Sequence, residues 1–179
     1  MGNIVALLKE LHEVSDEVIR AAVGECLGRL YLINVESIES VIGEYLGSKN
    51  ATSRAVGLCS IRVILHDKSS IYEDAIIKLM TQFTFELLKD SDISVRKQSL
   101  STLKTALHWK PELTKTLLTP AVLSDLYEET RIRKELIRQV TVGPFKHNID
   151  DGLETRKVKS ESPNSKKQYF TDTLCVDGL

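Results

Sequence analysis

The chain is poor in aromatic residues, at 6%, and Trp109 is its single tryptophan. Leucine, isoleucine and valine supply most of its apolar content, which suits helix packed on helix. It carries almost no excess charge, with a formal net charge of -1 over 179 residues. A near-neutral chain is a poor candidate for broad electrostatic binding to nucleic acid or to an anionic membrane surface. No apolar run approaches the roughly 18 residues that a membrane span needs. Its three cysteines, Cys26, Cys59 and Cys175, form no spaced pair. An odd count without a legible secretory leader predicts reduced thiols, in the cytoplasm or nucleus. Cys26 and Cys59 fall within apolar helical patterns and are expected to be small core residues.

The features of several enzyme and targeting classes are missing too. No Gly-rich phosphate loop follows a strand, no nucleophile elbow is present, and no Cys-x-x-Cys pair occurs. The four histidines, His12, His66, His108 and His147, are scattered. The best metal or acid–base candidate is His147 with Asp150 and Asp151, but it lacks a third ligand at helical spacing and an obvious supporting shell. Asp150 and Asp151 fit better as acceptors at the start of a helix. No catalytic residue, cofactor or metal is therefore expected. Met1-Gly2-Asn3 begins like a myristoylation signal, but Ala6 stands where Ser or Thr is wanted. Asn50-Ala51-Thr52 reads as a glycosylation triplet only on a secretory route.

What is present is helical periodicity, unit after unit. Ile4, Leu7, Leu8 and Leu11 fall on one helical face. After Ser15-Asp16, a good N-cap, Ile19, Ala22, Val23, Cys26, Leu27 and Leu30 make a second stripe. Val35 to Leu46 predicts the next first helix, with Leu58, Ile61 and Leu65 on its partner. Tyr72 to Leu87 predicts a third first helix, followed by one carrying Leu100, Leu103 and Leu107. Pro111 opens a helix expected to reach about Tyr127. Gly24 and Gly28 predict the close approach of a neighbouring helix.

The turns repeat more clearly than the helices. "SDEVIR", "NATSR", "SDISVR" and "DDGLETR" end on Arg20, Arg54, Arg96 and Arg156, and the first two spacings are 34 and 42 residues. The polar residue caps a helix N-terminus, whose free N–H groups and dipole favour an acceptor. The arginine, one turn in, can reach the neighbouring turn's aspartate. Helical pairs with this signature at about 40–47 residues resemble HEAT repeats, which stack into solenoids. The expected fold is all-α: a HEAT-repeat α-solenoid of about four helical hairpins over residues 1–157. Residues 158–179, rich in Ser and Lys, should form a disordered tail. The charge run from Glu128 to Arg138 is expected to be the solvated face of a helix.

One stretch departs from helical period. In "RQVTVGPFKHNIDDG", apolar residues alternate up to a Gly143-Pro144 break and resume at Phe145. This predicts a β-hairpin insert near residues 136–150, pairing Val142 with Phe145 and Val140 with His147. Those residues would share one face, with Thr141 and Lys146 on the other. A two-stranded hairpin is marginal in water, so it should lean on the solenoid or be completed by a partner.

The same stretch carries a resemblance. "LYEETRIRKELIRQVTVGPFKHNIDDGLETRK", Leu126 to Lys157, resembles the cullin-associated, neddylation-dissociated family, also called TATA-binding-protein-interacting. "AAVGECLGRLYLINVESI" and "DSDISVRKQSLSTL" are similar to other repeats of that family. The likeness runs over about residues 15–157, part of the family's C-terminal third, and should end at Val158. It implies a regulator of cullin–RING ubiquitin ligases that sequesters cullin lacking its ubiquitin-like modifier and promotes exchange of substrate adaptors. It also implies that the hairpin competes for the adaptor's docking site. The residues that would carry protein contact are Val140, Val142, Gly143, Pro144, Phe145, Lys146 and His147. Beginning in mid-solenoid and diverging after Lys157, the chain would be a truncated form. A truncated product that binds weakly or not at all, and a generic HEAT interaction scaffold, are the alternative readings.

Overall fold

The computed structural model describes residues 2–11, 16–69, 71–129, 131–143 and 145–153. It divides into two compact units, Met1–Glu129 and Thr130–Leu179. The first is built of helices: α1 (Gly2–Leu11), α2 (Glu17–Ile33), α3 (Val35–Leu46), α4 (Ala51–Leu65), α5 (Glu73–Leu79), α6 (Ile93–Trp109), α7 (Pro111–Leu117) and α8 (Pro120–Glu128). Helices α2, α4 and α6 pack side by side in sequence order. Helix α1 packs on α2, α3 on α4, and the segment after α5 on α6. This is the helical-pair stacking of a HEAT solenoid.

Caps begin the second helices where the turn signature predicts them. Asp16 accepts from Val18 N at 2.7 Å, Asn50 from Thr52 N at 2.8 Å, and Asp92 from Ser94 N at 2.8 Å and Val95 N at 3.2 Å. Each satisfies helix N–H groups that have no carbonyl partner within the helix.

The second-helix stripe is rotated from its sequence reading. The buried face of α2 is Val23, Gly24, Leu27, Gly28 and Tyr31. Ile19, Ala22 and Cys26 face outward, so the expectation of a core Cys26 is corrected. The two glycines cause the rotation. A Cβ on Gly24 would lie 2.7 Å from Cys59 Cβ, and one on Gly28 would lie 2.6 Å from Val63 Cβ and 2.7 Å from Ser60 O. With no side chains there, α4 lies directly on the α2 backbone. Cys59 is half-buried and its Sγ contacts Ala21 O at 3.8 Å. Of Ile4, Leu7 and Leu8 in α1, only Leu8 is buried.

Two helices expected to be continuous are broken. After α5 the chain widens into a π-turn at Met80–Thr84, where Phe85 N donates to Met80 O at 3.2 Å, and then tightens into a 3₁₀ turn at Glu86–Lys89. The run Thr81, Phe83, Thr84, Phe85 is β-branched and aromatic, and Thr81 Oγ1 donates back to Ile77 O. Such back-bonding competes with the helical ladder. The apolar residues still go inside, with Leu79, Met80 and Leu87 buried. The second break separates α7 from α8. Pro120 pushes Thr119 into extended conformation, at ψ 161°, and Thr119 Oγ1 then accepts from Val122 N at 3.3 Å.

At the C-terminal ends of α4 and α6, Trp109 lies between two imidazoles, with ring centroids 4.9 Å from His66 and 5.2 Å from His108. Beside it, Lys110 Nζ donates to Ser69 O at 2.8 Å. In the second unit a 3₁₀ turn, Lys134–Leu136, leads into β1 (Ile137–Val142) and its antiparallel partner β2 (Phe145–Asp150). The expected charged helical face after Glu128 is therefore absent, because α8 ends there. The expected tail and the helix start at Arg156 lie outside the described residues.

Candidate functional site

The hairpin is the candidate site. Its register is Val142 with Phe145, Thr141 with Lys146, Val140 with His147, Gln139 with Asn148, Arg138 with Ile149 and Ile137 with Asp150. The alternation around a two-residue break thus predicts the pairing. Gly143 has φ +60°, a left-handed torsion that L side chains rarely adopt, and no heavy atom lies within 4 Å of where its Cβ would be. Torsion rather than space selects glycine here. Pro144 lies outside the described residues.

Cross-strand partners share a face, and neighbours along a strand alternate. Phe145, His147 and Ile149 therefore face one way with Val140 and Arg138, while Lys146, Asn148 and Asp150 face the other. Of the expected contact residues, Val140, Phe145 and His147 are brought together, and Lys146 is turned away from them. His147 and Asp150 also diverge, so the one titratable cluster of this stretch does not converge. Among the described residues, no group of three His, Cys, Asp or Glu could hold a metal ion.

Three contacts close the base of the arm. Arg138 Nε donates to Asp151 Oδ2 at 2.8 Å, Asp151 N donates to Leu136 O at 3.0 Å, and Asp150 Oδ1 accepts from Gly152 N at 2.9 Å. The Asp150 bond repeats the two-residue reach of the caps at Asp16, Asn50 and Asp92. Asp151, expected as a second helix-start acceptor, holds Arg138 at the base of the arm, and the helix start it would cap lies outside the described residues.

Within the helical unit, Arg54 makes the predicted contact with the neighbouring turn's aspartate. Arg54 holds Asp90 through two bonds, Nε to Oδ2 at 2.6 Å and Nη2 to Oδ1 at 2.7 Å. Its Nη1 also donates to the carbonyls of Ser48 and Lys49, both at 2.9 Å. Burial alone would raise the Asp90 carboxyl. The Arg54 hydrogen bond, the Asp92 N–H and the Arg54 and Arg96 charges outweigh it and hold Asp90 below the usual carboxylate range. The bond to Asp90 in turn raises Arg54 against its own desolvation. Arg96 repeats the pattern. Its Nη1 donates to Asp90 O at 2.7 Å, and its Nε lies 3.4 Å from Glu129 Oε2. Glu129 is buried and belongs to this ladder, a role hidden in the sequence because it sits in a run of charges.

A family profile described as "TATA-binding protein interacting (TIP20)" matches residues 113–165, the stretch that contains the whole hairpin. Over 149 residues, 83% of this chain, it is 38% identical to Cullin-associated NEDD8-dissociated protein 1 of Drosophila melanogaster. Over 159 residues, 89% of this chain, it is 39% identical to the Arabidopsis thaliana protein of the same name. The chain belongs to the cullin-associated NEDD8-dissociated family. It spans 12% of the Drosophila protein's length and 13% of the Arabidopsis protein's. A relative from Emericella nidulans, called the C-terminal part of the same protein, is 37% identical over 166 residues and is covered over 15% of its length. The chain thus corresponds to a segment of the family's C-terminal helical-repeat region. The profile match runs to residue 165, beyond Val158, where the sequence reading put the end of the likeness.

Proposed function

We propose that this segment binds cullin and takes part in regulating the assembly of cullin–RING ubiquitin ligases. The observation that carries the reading is a coincidence of place. The stretch that matches the family profile, residues 113–165, contains the exposed β-arm, the one strand pair among the described residues. The relatives' names associate them with cullins and with dissociation of NEDD8. On this reading the chain sequesters cullin that lacks NEDD8, and the hairpin competes with the substrate adaptor for its docking site. Adaptor exchange follows on this reading, because a cullin held by the chain after one adaptor leaves is open to whichever adaptor next displaces the chain. No catalytic step is involved. The site of action is the cytoplasm and nucleus, consistent with an odd cysteine count and an exposed Cys26 thiol.

The test is a titration of the purified chain against cullin with and without NEDD8, with adaptor as competitor. The expected result is binding to unmodified cullin that adaptor suppresses. No binding at tens of micromolar overturns the reading. A second reading rests on the 12–13% coverage: the chain contributes only a fraction of the contacts available to its long relatives. It predicts that the chain binds cullin without displacing adaptor.

A further inference from the structure

The near-zero total charge hides a division between layers. In the two central helical pairs, the second helices α4 and α6 hold five Arg and Lys and no Asp or Glu, for a net +5. Their first-helix partners, α3 and residues 73–89, hold six Asp and Glu against two Lys, for a net -4.

The ties between repeats follow this division. Among the first helices they are ion pairs: Lys78 with Glu39, and Lys89 Nζ with Asp125 Oδ2 at 2.8 Å. Across α4 and α6 the tie is Arg62 Nη1 to Ser101 Oγ at 3.0 Å, a cation on a neutral hydroxyl. Arg54 and Arg96 engage the turn carboxylates, Asp90 and Glu129. The other three cations, Arg62, Lys97 and Lys104, lie on the outward stripes. Lys97 and Lys104 stand one turn to either side of Ser101, so they bracket Arg62. Seven residues of helix separate the two lysines by about 10 Å. Helix α2 next to α4 neutralises itself, with Arg29 Nη2 2.7 Å from Glu25 Oε1.

Helix α4 is also recessed. None of its residues is exposed, whereas Glu25, Cys26 and Arg29 of α2 and Lys97 and His108 of α6 are. Its outward stripe is small, with Ala55 and Cys59 leading to Arg62. The three helices form a shallow trough with Arg62 in its floor and lysines along one wall.

We propose that this trough is an interaction surface for an acidic segment of a protein. Carboxylates about 10 Å apart meet Lys97 and Lys104, with Arg62 between them; that spacing is two turns of a helix or three residues of extended chain. A polypeptide fits better than nucleic acid, because no aromatic ring lies on the stripes between Lys97 and Lys104 to stack a base. The surface uses none of the β-arm's residues and does not rest on the cullin-binding reading, so either can fail alone.

The test titrates the whole isotope-labelled chain with a synthetic Glu-rich peptide at low salt. Amide resonances of Arg62, Ser101 and Lys104 should shift, and those of the hairpin should not. Arg62→Glu and Lys97→Glu should each raise the Kd about tenfold or more. Lys49→Glu, the same charge change on an exposed turn, should raise it less than about threefold. Arg62 also ties α4 to α6, whereas Lys97 is exposed, so an unchanged urea midpoint in Lys97→Glu separates lost charge from lost structure. Binding should weaken as salt rises from about 50 to 300 mM. No binding at low salt overturns the proposal. Equal losses in Lys49→Glu and Lys97→Glu overturn it as well, since they would mean diffuse charge rather than a site. A single-stranded oligonucleotide bound as tightly as the peptide, and weakened by the same variants, overturns the assignment to an acidic protein segment.

Discussion

Gly28 shows how much a missing side chain can decide. Its backbone lies against Val63 and Ser60 of α4, and a Cβ there would stand 2.6 Å from the Val63 Cβ. Both neighbours are held, one by its branched Cβ and the other by the α4 backbone, so neither can yield cheaply. Gly28→Ala should lower stability by about 1–3 kcal/mol, the usual cost of overpacking. Gly43→Ala is the matched control, since its Cβ would meet only Phe83 Cζ at 4.0 Å. It should leave the urea midpoint unchanged or raised, because alanine favours helix over glycine. A Gly28 variant as stable as the parent would show that α2 and α4 can separate freely. The sequence announced the contact through the spacing of Gly24 and Gly28. It hid the consequence for Cys26, because glycine adds nothing to an apolar stripe while occupying its centre. Counting only side chains turned the face of α2 toward Ile19 and Cys26, which are exposed.

At the scale of elements, the legible pieces were those governed by residues with one strong preference. Asp and Asn at caps, and Gly143 at a left-handed turn, act locally, so the caps and the hairpin register could be read without the fold. Gly143→Val tests this directly. A β-branched side chain at φ +60° is strained by about 1–3 kcal/mol. The cross-strand NOE between Val140 and His147 should weaken or vanish, whereas Gly143→Asn, a residue that visits this torsion, should retain it. An intact hairpin in Gly143→Val would mean that the turn does not set the register. The broken helices were less legible. The apolar spacing from Tyr72 to Leu87 stays helical on average, and the π-turn at Met80–Thr84 shifts the phase without spoiling burial. Pro120 was a local signal in plain view, but the apolar pattern on both sides bridged it.

Over the whole helical unit, the arginine ladder links one repeat to the next. Arg54 reaches 36 residues forward to Asp90, whose own carbonyl accepts from Arg96. The Arg54 and Asp90 side chains are only 13% and 6% exposed, so removing one partner strands a buried charge. Asp90→Ala should cost about 3 kcal/mol. In a repeat array that loss should also weaken coupling between neighbours, and hydrogen exchange in α6 should quicken more than in α2. The pair also sets a pH dependence. Asp90 has a depressed pKa in the folded chain, so its stabilisation is fully present above the unfolded value of about 4 and is lost as pH falls through the folded one. Urea midpoints should fall below about pH 4 in the parent and fall less steeply in Asp90→Ala. Parallel acid curves for the two would remove Asp90 from the account. The partner of Arg96 was not legible, because Glu129 takes its meaning from a neighbour 33 residues away in the sequence.

Trp109, set between His66 and His108 where α4 meets α6, gives the chain a built-in optical reporter. With no other indole present, fluorescence emission follows this one joint rather than an average over the molecule. Circular dichroism instead averages over all the helices. Coincident unfolding curves from the two signals would mean that the stacked pairs melt together. An earlier emission curve would mean that the array comes apart at the α4–α6 seam first.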